Sequence, residues 1–169
     1  MLKKKKSGFT LIEMIIVISL TLIVIGITSS IFMTGNKVFS DSDVNTTLQM
    51  EGQRVQEKIS DVGMQAERIT SVTGDSTSGE ITKICINSYN EYGKHEFIIE
   101  KNNDKLLIDG NEISSNMRSL KINRDIIANK SNLEEFNSVE FNIVLSNNKG
   151  FSKAITYTVN FTVTFRNKS

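Results

Sequence analysis

Twenty consecutive residues without a charge, Met14 to Met33, restrict this chain more than any other feature of its sequence. An apolar helix of that length spans about 30 Å, the thickness of a bilayer core. Ser19, Thr21, Thr28, Ser29 and Ser30 dilute the run. A helix absorbs such hydroxyls by bonding them to its own carbonyls. The full 169 residues, 38% apolar and 23% charged, are one domain's worth with an appended segment.

Composition excludes several classes of function. The net charge of +1 gives no electrostatic case for nucleic acid. Cys85 is the single cysteine, so neither an intramolecular disulfide nor a CxxC motif can form. Proline is absent, and turns must rest on Gly, Asn and Asp.

A basic start, Lys3-Lys4-Lys5-Lys6, precedes the apolar run. That order fits a secretory signal, a membrane anchor or something more specific. A cleaved signal needs small residues at its cut, yet no alanine precedes Ala66. A plain anchor keeps the lysines cytosolic and the C-terminal body outside. It leaves Glu13 unexplained, because a carboxylate in hydrocarbon costs about 2.5–3.5 kcal/mol unless it lies near the interface or finds a partner.

The stretch Lys3-Lys4-Lys5-Lys6-Ser7-Gly8-Phe9-Thr10-Leu11-Ile12-Glu13, with the apolar residues after it, resembles the class III signal of type IV pilins and pseudopilins. The shared pattern is a basic leader, Gly, Phe, three residues, Glu and then the apolar run. The resemblance covers residues 3 to 30 and fades beyond. It implies that a prepilin peptidase cuts after Gly8 and methylates the new amino terminus at Phe9, with Glu13 retained. It also implies partners: other pilin subunits met through the N-terminal helix, an assembly platform and the membrane.

Physical chemistry agrees with that carry-over. Removing residues 1–8 leaves sixteen basic and nineteen acidic residues, a net charge of −3. The cut exposes an α-amine that titrates near 8, and a cation in apolar surroundings needs an anion. Phe9 and Glu13 are one helical turn apart and share a face. The carboxylate can serve its own amine or that of a stacked neighbour; in filaments of the resembled family the second is usual. Such a pair also sets axial register, since an unpaired buried charge penalises a wrong offset.

Beyond the run, Val44, Leu48, Val55, Ile59, Val62, Ala66 and Ile69 recur at helical spacing. They predict an amphipathic segment, residues 34–70, continuing the apolar segment 9–33 as one helix from about Phe9 to Thr70. Gly26, Gly35, Gly52 and Gly63 each weaken it by about 1 kcal/mol relative to Ala, with Gly26–Gly35 the expected soft point. Residues 71–79 read as a loop. Residues 80–169 read as an antiparallel sheet, with strands at Ile81–Ile86, Glu96–Glu100, Lys105–Ile108, Met117–Ile122, Val139–Leu145 and Ala154–Phe165. The last alternates Ile155, Tyr157, Val159, Phe161, Val163 and Phe165 with polar residues, one face buried and one wet. Turn signals stand at Asn102-Asn103-Asp104, Asp109-Gly110-Asn111 and Asn147 to Gly150. The expected fold class is therefore α+β, a long N-terminal helix packed on an antiparallel sheet, which is the pilin shape.

Nothing in the body predicts catalysis. His95, the only histidine, sits in Lys94-His95-Glu96-Phe97 without an ordered acid–base trio. Cys85, between Ile84 and Ile86, reads as a packed small residue. No metal-ligand spacing or phosphate loop is present, and no cofactor is expected. The expectation is a non-enzymatic subunit matured by prepilin peptidase. Lacking a disulfide-closed loop, it looks more like a minor pilin or pseudopilin than a major one. Pilus, competence filament and secretion pseudopilus remain open. The alternative is a single-span protein presenting an extracellular binding domain.

Overall fold

The computed structural model describes residues 8–90, 93–148 and 154–166. Helix α1 (Leu11–Gln65) belongs to two compact units, Met1–Ser40 and Asp41–Ser169. In the first unit no residue from Gly8 to Thr34 is buried. Leu11 is 79% and Phe32 67% exposed. The helix runs unbroken through Gly26 and Gly35. Ser19, Thr21 and Thr28 donate their hydroxyls to Ile15, Val17 and Val24 carbonyls at 2.7–2.8 Å, and Thr34 does the same to Ser30. Three of the five hydroxyls that dilute the run are thus satisfied within the helix itself.

In the second unit Val44, Leu48, Val55, Ile59 and Val62 form the buried stripe that their spacing predicts. Gly52 and Gly63 lie on the same face, and both are buried. A Cβ on Gly52 would stand 2.7 Å from Tyr157 Cε1 and 2.8 Å from Val159 Cγ2. One on Gly63 would overlap Val163 Cγ1. These glycines let the helix approach a strand closely, which offsets the propensity they cost.

The helix ends at Gln65, five residues before the expected Thr70, and strand β1 (Ala66–Gly74) follows at once. Ala66 and Ile69 belong to that strand, as do residues 71–74 of the expected loop. The cause is local. Pairing with β2 shifts register between Ala66 and Arg68 and again between Ile69 and Ser71. Each irregularity adds a residue, so Ala66, Ile69 and Val72 all reach the core at a spacing of three. That spacing imitates a helix.

What remains of the loop is a turn in which Gly79 N–H donates to the Asp75 carbonyl at 2.9 Å. The Asp75 carboxylate accepts from Thr77 N–H at 3.0 Å and Ser78 N–H at 3.2 Å. The bond from the Thr77 backbone, then that from the Ser78 hydroxyl, hold this carboxyl below its ordinary value of 3.8. A depressed carboxyl stabilises the folded turn fully above the ordinary value and loses that contribution as pH falls through the lower folded one. An NMR titration of the Asp75 side chain should give a midpoint under 3.8. Asp75→Asn should abolish the acid loosening of Thr77 and Ser78 amides; unchanged loosening would refute the link.

Strands β2 (Ile81–Asn90), β3 (Gly93–Asn102), β4 (Lys105–Ile108) and β5 (Asn111–Ser114) continue from β1 as a five-stranded antiparallel meander. Its β4–β5 turn carries φ of 50° at Asp109 and 76° at Gly110, the paired positive φ of a type I′ hairpin. Strands β6 (Met117–Ile122), β7 (Ser138–Asn147) and β8 (Ile155–Thr164) form a second sheet. The single expected sheet is therefore two. Between β5 and β6 the chain is tied to α1, because Ser114 Oγ and Asn116 Nδ2 donate to the Glu51 carboxylate at 2.8 and 2.7 Å. That diverts it from the β5 edge. An isolated bridge, Glu80 to Lys121, joins the start of β2 to β6.

Helix α2 (Arg124–Ala128) and a 3₁₀ segment (Lys130–Glu135) connect β6 to β7. Both are too short to show a period, at most two turns each, yet they place Ile126, Ile127 and Leu133 in the core. Val159, Val163 and Phe165 are buried while the threonines between them are exposed, as the alternation predicts. Lys149 and Gly150 of the last expected turn lie outside the described residues.

Candidate functional site at the helix start

Gly8, Phe9 and Thr10 precede α1 without regular structure. Phe9 is 83% exposed. Nothing lies within 4 Å of where a Gly8 Cβ would stand. The peptide bond between the two is open to a protease, which needs an extended, accessible backbone. Lys3 to Lys6 lie outside the described residues.

Glu13 is already engaged. Its Oε2 accepts from Thr10 N–H at 2.8 Å and from Thr10 Oγ1 at 2.9 Å. Glu13 N–H donates to Thr10 Oγ1 at 3.3 Å. Met14 N–H reaches the Thr10 carbonyl at 3.3 Å. This is a capping box, a Thr at the cap and a Glu three residues on, each satisfying the other's orphan donor. The spacing Thr10-x-x-Glu13 states it in the sequence, and that signal was missed. The expected pairing of Glu13 with the nitrogen of Phe9 is not among the carboxylate's bonds here, since that nitrogen is still part of a peptide. Among the described residues, all the bonds that it accepts fall on Oε2. A carboxylate offers about four lone-pair sites, so Oε1 can take a further donor without breaking the cap.

Thr10→Val should therefore fray the first turn. Loss of a cap costs about 1 kcal/mol, which corresponds to roughly five-fold faster amide exchange at Leu11 to Met14. Exchange at the natural rate in micelles would show that the cap contributes nothing.

The residues singled out in the body do not converge. His95 Nε2 lies 3.1 Å from Asp109 Oδ2, and its ring meets Phe97 edge-on at 4.5 Å. Asp109 Oδ1 accepts from Ile98 N–H at 2.8 Å. This arrangement anchors a hairpin. In the β2–β3 register His95 faces Ser88, whereas Cys85 faces Ile98, and Cys85 is buried. Among the described residues no group of three or more His, Cys, Asp or Glu side chains is placed to hold a metal ion.

Residues 3–29 match the family model described as the prokaryotic N-terminal methylation motif, the signature of type IV pilins and pseudopilins. No curated protein and no solved structure matches the chain.

Proposed function

We propose that this chain is the precursor of a type IV pilin-like filament subunit, a minor pilin or pseudopilin rather than an enzyme. Prepilin peptidase cuts it after Gly8 and methylates Phe9. Until assembly the protein waits in the membrane on the first half of α1, its N-terminus cytoplasmic and its β-rich unit outside. It then joins other subunits, helix against helix, with the Phe9 amine of one subunit set against Glu13 of the next.

The observation that carries this reading is a wholly unburied apolar stem that opens on one acid. From Phe9 to Met33 every residue is solvent-facing, and seventeen of the twenty-five carry large apolar side chains. Each such side chain gains about 1.5–3 kcal/mol on leaving water, so the stem demands lipid or other stems. The helix is long and apolar enough to cross a membrane. A single acid in such a setting is costly unless a cation meets it. The methylation motif at residues 3–29 supports the enzyme that would create that cation.

One observation favours a second reading, a single-span anchor presenting a binding domain. Thr10 already bonds one oxygen of Glu13 without any neighbour. Intact-mass and N-terminal peptide mass spectrometry of the protein from its own membranes separates the two. A chain beginning at N-methylated Phe9 is the expected result. An intact leader through Gly8 would leave only the anchor.

A further inference from the structure

A polar pocket of about 460 Å³ opens where the β5–β6 connection, the β3–β4 turn and the end of β7 meet. Its wall includes Asp104, Ser115, Asn116, Arg118, Asn147 and Asn148. The amides at its back are fixed by a chain of bonds that begins on α1. Asn116 Nδ2 donates to Glu51 Oε1 at 2.7 Å, and Asn147 Nδ2 donates to Asn116 Oδ1 at 3.0 Å. Ser146 N–H holds the Asn116 carbonyl at 2.8 Å. Asn116 N–H in turn donates to Ser114 Oγ, which itself donates to Glu51.

Glu51 is half-buried, and its bonds here come from neutral donors only. What it achieves is the fixed orientation of two amides at the pocket wall, which lowers the ordering cost of binding there. At the rim, Asp104 and Arg118 are both exposed, and among the described residues neither side chain has a hydrogen-bond or ion-pair partner. The pocket thus offers one acceptor-only group, one donor fork and several amides and hydroxyls that both donate and accept. Among the described lining residues one acid balances one base, which disfavours a strongly ionic ligand. None of the described lining residues is aromatic, which disfavours a flat apolar ligand.

We propose that this pocket binds a neutral polyhydroxylated ligand, a saccharide, whose vicinal hydroxyls bridge Asn148, Asp104 and Arg118 against the fixed Asn116–Asn147 wall. The site lies entirely on the β-rich unit and does not depend on how the N-terminus is processed.

The test uses the full chain in detergent micelles on an array of neutral and acidic oligosaccharides. Titration by saturation-transfer NMR follows, with the binding sugar as probe. The expected result is binding of neutral sugars with Kd on the order of 1 mM, weakened at least about ten-fold in both Asn148→Ala and Arg118→Ala. Both positions are exposed at the rim, so the variants retain the fold. Binding that survives both substitutions would place the site elsewhere and overturn the proposal. So would selectivity for acidic sugars alone, or no binding up to about 10 mM.

Discussion

Gly63→Ala should lower the unfolding free energy of the β-rich unit by at least about 2 kcal/mol, although alanine is the better helix former. Alanine gains about 1 kcal/mol of helix propensity over glycine. Against that, the new methyl would overlap Val163 Cγ1 and lie 3.1 Å from Val163 Cβ. Val163 is 4% exposed and part of the core, so its branched side chain has nowhere to swing. The helix or strand β8 must shift instead, and packed interiors resist such shifts. Val163→Ala alone should also destabilise, by leaving a cavity. The double variant Gly63→Ala/Val163→Ala should lose less than the two single losses added, with a coupling of about 1–3 kcal/mol. Urea denaturation of the full chain in micelles measures all four corners. A Gly63→Ala variant as stable as the natural protein would remove close packing as the reason for glycine here.

The second large effect falls on Glu13. Under the proposed function, Glu13→Gln should reduce filament yield at least about ten-fold, equivalent to 1.4 kcal/mol or more per added subunit. Glutamine keeps an oxygen that can accept from Thr10, so the cap survives. Only the charge facing the amine exposed at Phe9 is lost. The new subunit would then bury a cation without its anion, and breaking a buried pair from one side costs about 3–5 kcal/mol. Sheared surface filaments and the membrane fraction, quantified by immunoblot, should show retained membrane protein and few filaments. The plain anchor makes the opposite prediction, because deleting a charge from an apolar helix only improves its fit to lipid. Filaments at natural levels from Glu13→Gln would therefore argue for the anchor.

Local patterns carried much of this molecule. The uncharged run, the stripe from Val44 to Val62, the alternation of Ile155 to Phe165 and the Asp109-Gly110 turn are short-range signals, and each stands where the sequence places it. The five strands that start at Ile81, Lys105, Met117, Ser138 and Ile155 begin at or within one residue of expectation. The acid at Glu13 is equally local, and so is its cap, written in the spacing Thr10-x-x-Glu13. Thr10 competes for the carboxylate with the amine, its own or a neighbour's, to which the spacing of Phe9 and Glu13 points.

Errors arose where neighbours distant in sequence set the outcome. Ala66, Ile69 and Val72 continue a helical spacing from α1, and only pairing with β2 bends that spacing into a bulged strand. The division into two sheets falls where Ser114 and Asn116 bond Glu51, more than sixty positions away. Gly52 and Gly63 look like weak points of a helix until β8 is laid across them. From sequence alone came the stem, its acid and the alternation of most strands, because periods of 2 and 3.6 are written by adjacent residues. Tertiary structure alone decided where α1 stops, how the strands divide and why glycine is required. Those outcomes turn on volumes and hydrogen bonds between segments that no local period encodes.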